Sequence, residues 1–302
     1  MYEYIVAIDG GGTKTAGSLY TLAGQLIKTA ETGFSNFAIN EKAAISHVHL
    51  LIDDLLKNVQ YNKVFIQMGI AGTSKLSNKD AFLKEIEHKY NATADLVTDA
   101  VICVYAIEKA EEEPLIMAIG GTGSVVLTYK DDTIYKMGGW GHLLGDEGSA
   151  YHVVMTAIKH IITEYEQNIP YSNLSMHLLN VMGVNDIYDV IEYVYNRDKS
   201  TLAQLSLEVQ HVAKTDPFAV ELLINEGLLL AKQIINAYNR FTKDEYVVIS
   251  LRGSFSLQGL YVKETVINEL KKHIPKFRLD IDGNEPVYGA YVLAKINIEK
   301  GA

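Results

Sequence analysis

The stretch YIVAIDGGGTKTAGSLY, residues 4–20, sets three consecutive glycines between two short runs of strand-forming residues, Tyr4–Ile8 and Ala16–Tyr20. A third run of this kind, Gln25–Thr32, follows across another glycine-containing turn. Short β-type runs that are bounded by glycine turns predict an antiparallel meander of three strands.

The same order of elements returns about 110 residues further along the chain. Leu115–Ile119 is a strand of the buried type, a glycine-rich turn follows it, and Val125–Tyr129 and Thr133–Met137 complete a second meander. This internal repeat predicts two related units, which a change in composition divides near residue 114.

Strands and helices alternate after the first meander. Helices predicted over Glu41–Asn58 and Asn78–Tyr90 separate the strands Lys63–Ile70 and Ala94–Thr98, and a further helix is predicted from Asp99 to the acidic residues 111–113. This order predicts parallel pairing through right-handed crossovers, and therefore an α/β fold. The second half adds helices predicted over 148–165, 186–196, 201–214, 216–241 and 257–273, strands over 246–251 and 276–279, and a closing helix after Pro286.

Composition excludes several classes of protein. The chain has 302 residues, 48% of them hydrophobic, and a net charge of −10, which suits about two globular domains and not a disordered chain. No apolar run reaches the length of a membrane span, and Met1 leads directly into strand-type residues without a signal peptide. The single Cys103 allows no internal disulfide, and the acidic balance argues against nucleic-acid binding. We therefore expect a cytoplasmic protein with no membrane or nucleic-acid partner.

Two glycine-rich turns carry candidate chemistry. The first glycine loop, Asp9–Thr15, has more glycines and hydroxyls than a hairpin turn requires, so its N–H groups are candidates for binding phosphate, although a plain turn remains the alternative. Asp9 at the strand end is a candidate for holding magnesium through water. The second glycine loop, Ile119–Ser124, occupies the corresponding place in the second half, and the duplication favours phosphate binding over a turn.

The tryptophan segment, Gly138–Tyr151, contains five glycines, the only Trp and the adjacent acids Asp146 and Glu147. Glycines around an aromatic ring and a carboxylate are typical of a sugar site, where the backbone approaches closely and the carboxylate accepts from hydroxyls. Under the plainer interpretations, Trp140 is a core aromatic, the two acids complement a helix N-terminus, and His142 bonds locally and binds no metal.

Two strand-to-helix junctions are further candidates. Asp99 follows a strand and begins a helix, so it is either an N-cap or a carboxylate that accepts a proton from a hydroxyl nucleophile. Gly253 and Ser254 follow another strand, and they form either an ordinary loop or a backbone shelf for adenine or ribose.

Together these segments resemble the sugar-kinase/actin-type ATPase superfamily and, within it, N-acetylglucosamine kinase-like members of the BadF/BadG/BcrA/BcrD ATPase family. The tryptophan segment is the most specific part of the resemblance. The matching segments are Asp9–Thr15, Ser35-Asn36, Thr98–Ala100, Gly121–Ser124, Gly138–Tyr151, Gly253-Ser254 and Tyr288–Ala290.

The resemblance implies two actin-like (ribonuclease H-like) lobes with an ATP and sugar cleft between them. The N-terminal lobe would take residues 1–114 together with the C-terminal helix, about 286–302, and the C-terminal lobe would take 115–285. The expected activity is phosphorylation of an amino sugar by ATP with Mg²⁺, most specifically of N-acetylglucosamine at its 6-hydroxyl.

The resemblance also assigns roles to individual residues. Asp99 matches the family's catalytic base, and Asp9 would act on the magnesium side. The residues implied to contact ATP are Gly11, Gly12, Thr13, Lys14, Thr122, Gly123, Ala203, Gly253 and Ser254. The positions implied to line the sugar pocket are Asn36, Asp99, Ser124, Val125, Gly139, Trp140, Gly141 and Asp146.

Two residues depart from the family pattern. Val125 stands where the animal enzyme has an amide side chain that touches the sugar, and Arg252 stands where an apolar residue or glycine is usual. The first departure keeps N-acetylmuramic acid and glucosamine open as alternative substrates.

Three further hypotheses remain open. An ATPase activator of iron–sulfur dehydratases would need more cysteine ligands than Cys103, and a catalytically silent sugar sensor is another alternative. Members of the superfamily dimerise, and the predicted helices of 186–214, with Tyr188, Tyr193 and Tyr195, are a candidate surface for a homodimer unless those tyrosines belong to the core.

Overall fold

The computed structural model describes residues 2–110 and 113–301, which divide into two compact units. Unit 1 takes the residues up to Glu108 together with those from Asp282 onward, and unit 2 takes Lys109–Ile281. These limits lie a few residues from the predicted ones at 114 and 285.

The regular structure of the described residues consists of ten strands, twelve α-helices, a short 3-10 helix (Thr73–Lys75) and a π-helical turn (Tyr238–Thr242). The strands are β1 (Tyr4–Gly10), β2 (Lys14–Thr21), β3 (Leu26–Gly33), β4 (Val64–Ile70), β5 (Ala92–Val97), β6 (Leu115–Gly120), β7 (Ser124–Lys130), β8 (Thr133–Met137), β9 (Val247–Arg252) and β10 (Phe277–Asp280). The helices are α1 (Glu41–Leu56), α2 (Lys79–Tyr90), α3 (Asp99–Tyr105), α4 (Ala150–Glu166), α5 (Asn173–Met182), α6 (Ile187–Tyr195), α7 (Lys199–Gln204), α8 (Ser206–Val212), α9 (Pro217–Ala237), α10 (Ser254–Gln258), α11 (Val262–His273) and α12 (Pro286–Glu299).

Unit 1 is a five-stranded mixed sheet in the order β3-β2-β1-β4-β5. The first three strands form the predicted antiparallel meander, whereas β1, β4 and β5 run parallel. In β1, four consecutive residues from Ile5 to Ile8 are fully buried, because helices cover both faces of the sheet. Val6 and Ile8 pack with α1 and α2, while Ile5 and Ala7 pack with α3 and α12.

Unit 2 repeats this topology in its own five-stranded sheet, in the order β10-β9-β6-β7-β8. The strands β6, β7 and β8 form the second antiparallel meander, and β6, β9 and β10 run parallel. The strands β6 to β10 therefore correspond in order to β1 to β5. The predicted internal repeat and the α/β fold class are both confirmed.

Several predicted helices were wrong in extent. The helix that begins at Asp99 ends at Tyr105, well before its predicted end at residues 111–113. Residues 111 and 112 lie outside the described residues. The helix predicted over 201–214 begins at Lys199 and consists of α7 and α8. The helix predicted over 257–273 is also two helices, α10 and α11, because Tyr261 before α11 adopts a left-handed conformation (φ 65°) that no helix interior tolerates.

Helix α5 was not predicted, although its signal is present in the sequence. The Ser172 hydroxyl accepts from the Ser175 N–H at the start of the helix, and Gly183 ends it in a left-handed conformation. Between these caps, Leu174 and Leu178 are spaced one helical turn apart and are buried.

A buried carboxylate joins α9 to the start of α4 in unit 2. Glu226 on α9 is 1% exposed, and it accepts hydrogen bonds from the Gly148 N–H and from Nδ1 of His152, each at 2.7 Å. The hydrogen bond to Glu226 raises the pKa of His152, against the opposing effect of burial. The end of the tryptophan segment is therefore fixed to α9 by a charge-assisted contact.

None of the helices in the described part of the chain combines the length and the apolar character needed to cross a bilayer.

We predict that the His152–Glu226 contact makes the stability of the protein dependent on pH. Since the pKa of His152 is raised on folding, its stabilisation is fully present below the unfolded value of about 6.5 and is lost as the pH rises through the folded value. His152→Gln should lower the free energy of unfolding by roughly 1–2 kcal/mol below pH 6, and by less near pH 9.

Denaturant unfolding of both proteins at the two pH values measures this difference. His177→Gln is the matched control, because His177 contacts Glu208 at 2.7 Å in the same unit but Glu208 is far more exposed than Glu226. An equal loss of stability for His152→Gln at both pH values would contradict the prediction.

Candidate active site

Two carboxylates of unit 1 lie at the same edge of its sheet. Asp9 is near the carboxyl end of β1, and Asp99 begins α3 just after β5. In the parallel register Asp9 pairs with Gly69 of β4, which in turn pairs with Val97 of β5. A Cβ at Gly69 would lie 2.4 Å from Ile102, so glycine is what lets α3 pack this close to the sheet.

The electrostatics of Asp9 show that these carboxyl groups share one region. Burial raises the pKa of Asp9 to about 6, and the charges of Asp99 and Glu285 raise it in the same direction. Burial also raises the pKa of Asp99, while the backbone N–H of Ala100 opposes the shift. Glu285, which directly precedes α12, was not predicted from the sequence.

A cleft of about 620 Å³ in unit 1 is lined by Asp9, Lys14 and Glu285. The charges of Asp99 and Glu285 raise the proton affinity of Asp9 there, and a divalent cation would relieve that repulsion. Among residues 2–110 and 113–301, no three His, Cys, Asp or Glu side chains converge on a position that could hold a metal. The site therefore fits magnesium only if water and phosphate oxygens complete its coordination, with Asp9 on the magnesium side.

The first glycine loop turns its carbonyl groups toward the protein. The Gly11 carbonyl accepts from the N–H groups of Ser35 and Asn36 at 3.0 and 3.2 Å, and the Gly11 N–H donates to the Lys14 carbonyl at 3.0 Å. The neighbouring N–H groups of Gly12 and Thr13 donate to no carbonyl of the described residues. Both residues are exposed, so their N–H groups are open to an anion.

Lys14 and Asn36 flank the first glycine loop. The Lys14 ammonium lies 2.6 Å from Glu31, and both side chains are largely exposed, which makes this an ion pair of small energy that a phosphate can displace. The Asn36 amide oxygen accepts from the Ala38 N–H at 2.9 Å, which leaves its NH₂ group as the donor for a ligand.

The second glycine loop repeats this pattern in unit 2. The Gly121 N–H donates to the Gly123 carbonyl at 2.9 Å, and the carbonyls of Gly121 and Thr122 accept from the N–H groups of Ala150 and Tyr151 at the start of α4. Within the described part of the chain, the N–H groups of Thr122 and Gly123 have no carbonyl partner.

Ser124 joins the second glycine loop to the tryptophan segment. Its hydroxyl donates to the Glu147 carbonyl at 2.7 Å, and its N–H donates to Oδ1 of Asp146 at 3.3 Å. Asp146 is only 3% exposed, and its Oδ2 lies 2.5 Å from the ammonium of Lys199 at the start of α7. Lys199 was not predicted as a site residue.

Trp140 is exposed over 60% of its surface, so the interpretation of this residue as a core aromatic was wrong. The Lys136 ammonium lies 4.8 Å from the centre of its ring. His142 contacts the Tyr151 ring edge-on, with 5.4 Å between the ring centres, as a local interaction would. Because most of the Trp140 side chain is exposed, the indole ring is available as an apolar surface for a ligand.

The glycines around Trp140 differ in how much space a side chain would have at each position. A Cβ at Gly139 would lie 2.7 Å from the Val125 side chain, so Val125 packs directly against the backbone of the tryptophan segment. Gly141, by contrast, has no atom within 4 Å of the corresponding position. Val125 therefore has a packing partner where the resemblance leads one to expect a polar sugar contact.

The loop after β9 lies against the stem of the second glycine loop. Gly253 has a φ of +91°, and a Cβ there would lie 2.5 Å from the Gly120 carbonyl oxygen, so only glycine fits. Ser254 is exposed at the first residue of α10. Arg252 forms an ion pair with Asp280, which links the ends of β9 and β10 and accounts for its departure from the family pattern.

Ala203 lies in a different environment from the other predicted nucleotide contacts. Its methyl group is buried in the apolar core of unit 2, so only its backbone is available to a ligand.

The predicted residues thus form one group in each unit. In unit 1, Asp9, Asp99, Asn36 and the first glycine loop gather at the carboxyl edge of the sheet. In unit 2, the second glycine loop, Gly253 and the tryptophan segment gather around β6 and the start of α4. Glu285 and Lys199 belong to these groups through contacts between residues that are distant in sequence, and no motif marks them.

Comparisons with known proteins find similar chains along nearly the whole length of this one. A curated N-acetylmuramic acid/N-acetylglucosamine kinase from Clostridium acetobutylicum is 26% identical over 306 residues, covering 97% of this chain and 98% of the relative. An N-acetyl-D-glucosamine kinase from Dictyostelium discoideum is 23% identical over 318 residues, covering 97% of this chain and 98% of the relative. A solved structure from Chromobacterium violaceum, provisionally described as an N-acetylglucosamine kinase, has a TM-score of 0.72 at 21% identity and covers 97% of this chain and 99% of that one.

The likeness to the solved structure supports the two repeated α/β units as an actin-like fold of the kind found in sugar kinases. The model of the BadF/BadG/BcrA/BcrD ATPase family matches residues 6–294, nearly the whole chain. The chain therefore belongs to the BadF/BadG/BcrA/BcrD ATPase family.

Proposed function

We propose that this protein is an ATP-dependent kinase that phosphorylates an amino sugar, N-acetylglucosamine at its 6-hydroxyl in particular. The observation that carries the proposal is the position of Asp99, a partly buried carboxylate of raised pKa next to Asp9 at the carboxyl edge of the sheet. The names of the curated relatives, which are amino-sugar kinases matched along their whole length, support the same class of reaction.

Asp99 acts on the acceptor hydroxyl. Its carboxylate orients the sugar O–H and takes the proton as the hydroxyl oxygen bonds to the γ-phosphorus of ATP and the bond from that phosphorus to the β–γ bridging oxygen breaks. The burial that raises the pKa of Asp99 makes its carboxylate a stronger base than that of an exposed aspartate. ADP leaves with the bonding pair of the broken bond.

The glycine loops act on the phosphate chain. The open N–H groups of Gly12 and Thr13 in unit 1, and of Thr122 and Gly123 in unit 2, are donors fixed in place by inward-turned carbonyls. Donors that are already oriented need no rearrangement as charge develops on the transferring group. Magnesium, when bound on the side of Asp9, supplies charge neutralisation to the phosphate oxygens.

The sugar contacts are proposed from donor and acceptor chemistry. The Asn36 NH₂ group donates to a sugar oxygen, the Gly139 and Gly141 backbone allows close approach, and the exposed Trp140 ring offers an apolar face. Asp146 is already engaged by Ser124 and Lys199, so it accepts a sugar hydroxyl only through its remaining lone pairs.

One observation keeps N-acetylmuramic acid as a second candidate substrate. Val125 packs against Gly139 and offers no polar group, so nothing at this position selects for N-acetylglucosamine by hydrogen bonding. The relative from Clostridium acetobutylicum is named for both sugars.

We predict that purified protein with MgATP releases ADP only when an amino sugar is present. The sugars to be tested are N-acetylglucosamine, N-acetylmuramic acid, glucosamine, N-acetylmannosamine and glucose, with a control that contains no sugar. A coupled assay measures the ADP released in each reaction. The largest kcat/KM is expected for N-acetylglucosamine. ADP release that does not depend on the sugar would contradict the proposal and favour an ATPase activator, and no release with any sugar would favour a sensor.

We also predict that Asp99→Asn lowers kcat by about 100-fold or more, because the amide accepts no proton, while KM for ATP stays nearly unchanged. Asp80→Asn, which changes an exposed aspartate in the first turn of α2, is the matched control and should retain full activity. Turnover near the wild-type value in a folded Asp99→Asn variant would remove Asp99 from the mechanism.

A further inference from the structure

Lys199 is a cation that neither the sequence motifs nor the mechanism above uses. It is the first residue of α7, after the N-cap Asp198, and its side chain is 30% exposed. Its ammonium lies 2.5 Å from Oδ2 of Asp146. Since an ammonium has three donors and Asp146 engages it through one oxygen, the group retains capacity for a second anion.

Asp146 is a fixed anchor for this ammonium. The carboxylate is 3% exposed, its backbone is held in a left-handed conformation with φ +70°, and its other oxygen accepts from the Ser124 N–H. A buried carboxylate whose backbone and one oxygen are fixed by the protein presents its other oxygen to a partner charge at a defined position. The ammonium of Lys199 is therefore held in place in the absence of any ligand.

The ammonium lies directly against the second glycine loop. A Cβ at Gly123 would be 2.4 Å from Nζ of Lys199 and 2.8 Å from Oδ1 of Asp146. Glycine at this position therefore leaves the space that the ammonium occupies. The N–H groups of Gly123 and Thr122, which have no carbonyl partner among the described residues, belong to the same loop.

We propose that Lys199 is a nucleotide-binding residue, whose ammonium is held by Asp146 over Gly123 and contacts the phosphate chain of ATP. A charged donor beside two open backbone N–H groups is a recurrent arrangement for binding phosphate. This inference rests on the proposed kinase function, to which it adds a residue that sets the position of the phosphates.

The test compares the binding of ATP and of adenosine by calorimetry or competition. Lys199→Met should weaken ATP binding by about tenfold or more and leave adenosine within about twofold, because only ATP carries phosphates. Lys199→Arg should recover part of the ATP affinity. Lys214→Met, at an exposed lysine after α8, is the matched control and should bind both ligands as the wild type does.

Lys199→Met leaves the Asp146 charge buried and unpaired, which can prevent folding. The double variant Lys199→Met with Asp146→Asn removes both charges and should show the same selective loss of ATP affinity. Unchanged ATP binding, an equal loss for ATP and adenosine, or a loss confined to sugar binding would each overturn the inference.

The inference and the proposed function fail in different ways. If the wild type binds ATP but transfers no phosphoryl group to any sugar, the proposed function fails while the binding series still tests Lys199. If sugar phosphorylation is present and Lys199→Met binds ATP normally, only the inference fails.

Discussion

The geometry of both glycine loops depends on one constraint. Their carbonyl groups must accept hydrogen bonds from backbone N–H groups elsewhere in the protein. Gly11 O accepts from the chain that follows β3, and the Gly121 and Thr122 carbonyls accept from the first turn of α4. Because each loop satisfies its acceptors on the protein side, the adjacent N–H groups are left without partners on the other side. The repeated sheet topology places such a loop after the first strand of each unit, and the same elementary geometry thus occurs twice.

Around this scaffold the charges of each unit are balanced differently. In unit 1, the charges of Asp99 and Glu285 disfavour the ionised form of Asp9, a condition that a divalent cation relieves. In unit 2, the buried carboxylate of Asp146 beside the second glycine loop is neutralised by Lys199 within the protein itself. In the proposed reaction, the acidic region of unit 1 would hold magnesium and the acceptor hydroxyl, and the Lys199 ammonium beside the second glycine loop would contact phosphate.

Much of the fold was predictable because it follows from local patterns. The meanders, their repetition and the parallel strands are encoded in short runs of residues and glycine turns. The interruption between α10 and α11 depends on Tyr261, whose left-handed backbone no periodicity reveals. The pairing of Lys199 with Asp146 and the approach of Glu285 to Asp9 join residues far apart in the chain, so only the tertiary structure brings them to the site. The exposure of Trp140 could not be predicted either, since an aromatic among glycines packs or protrudes according to its neighbours.

The central claim, that the protein transfers a phosphoryl group from ATP to an amino sugar, is tested most directly by identifying the product. Phosphorus NMR of protein incubated with MgATP and N-acetylglucosamine should show a new phosphomonoester signal, coupled to the two protons on carbon 6 of the sugar, that grows as ADP accumulates. A spectrum in which ATP yields only ADP and inorganic phosphate, or remains unchanged, would contradict the claim.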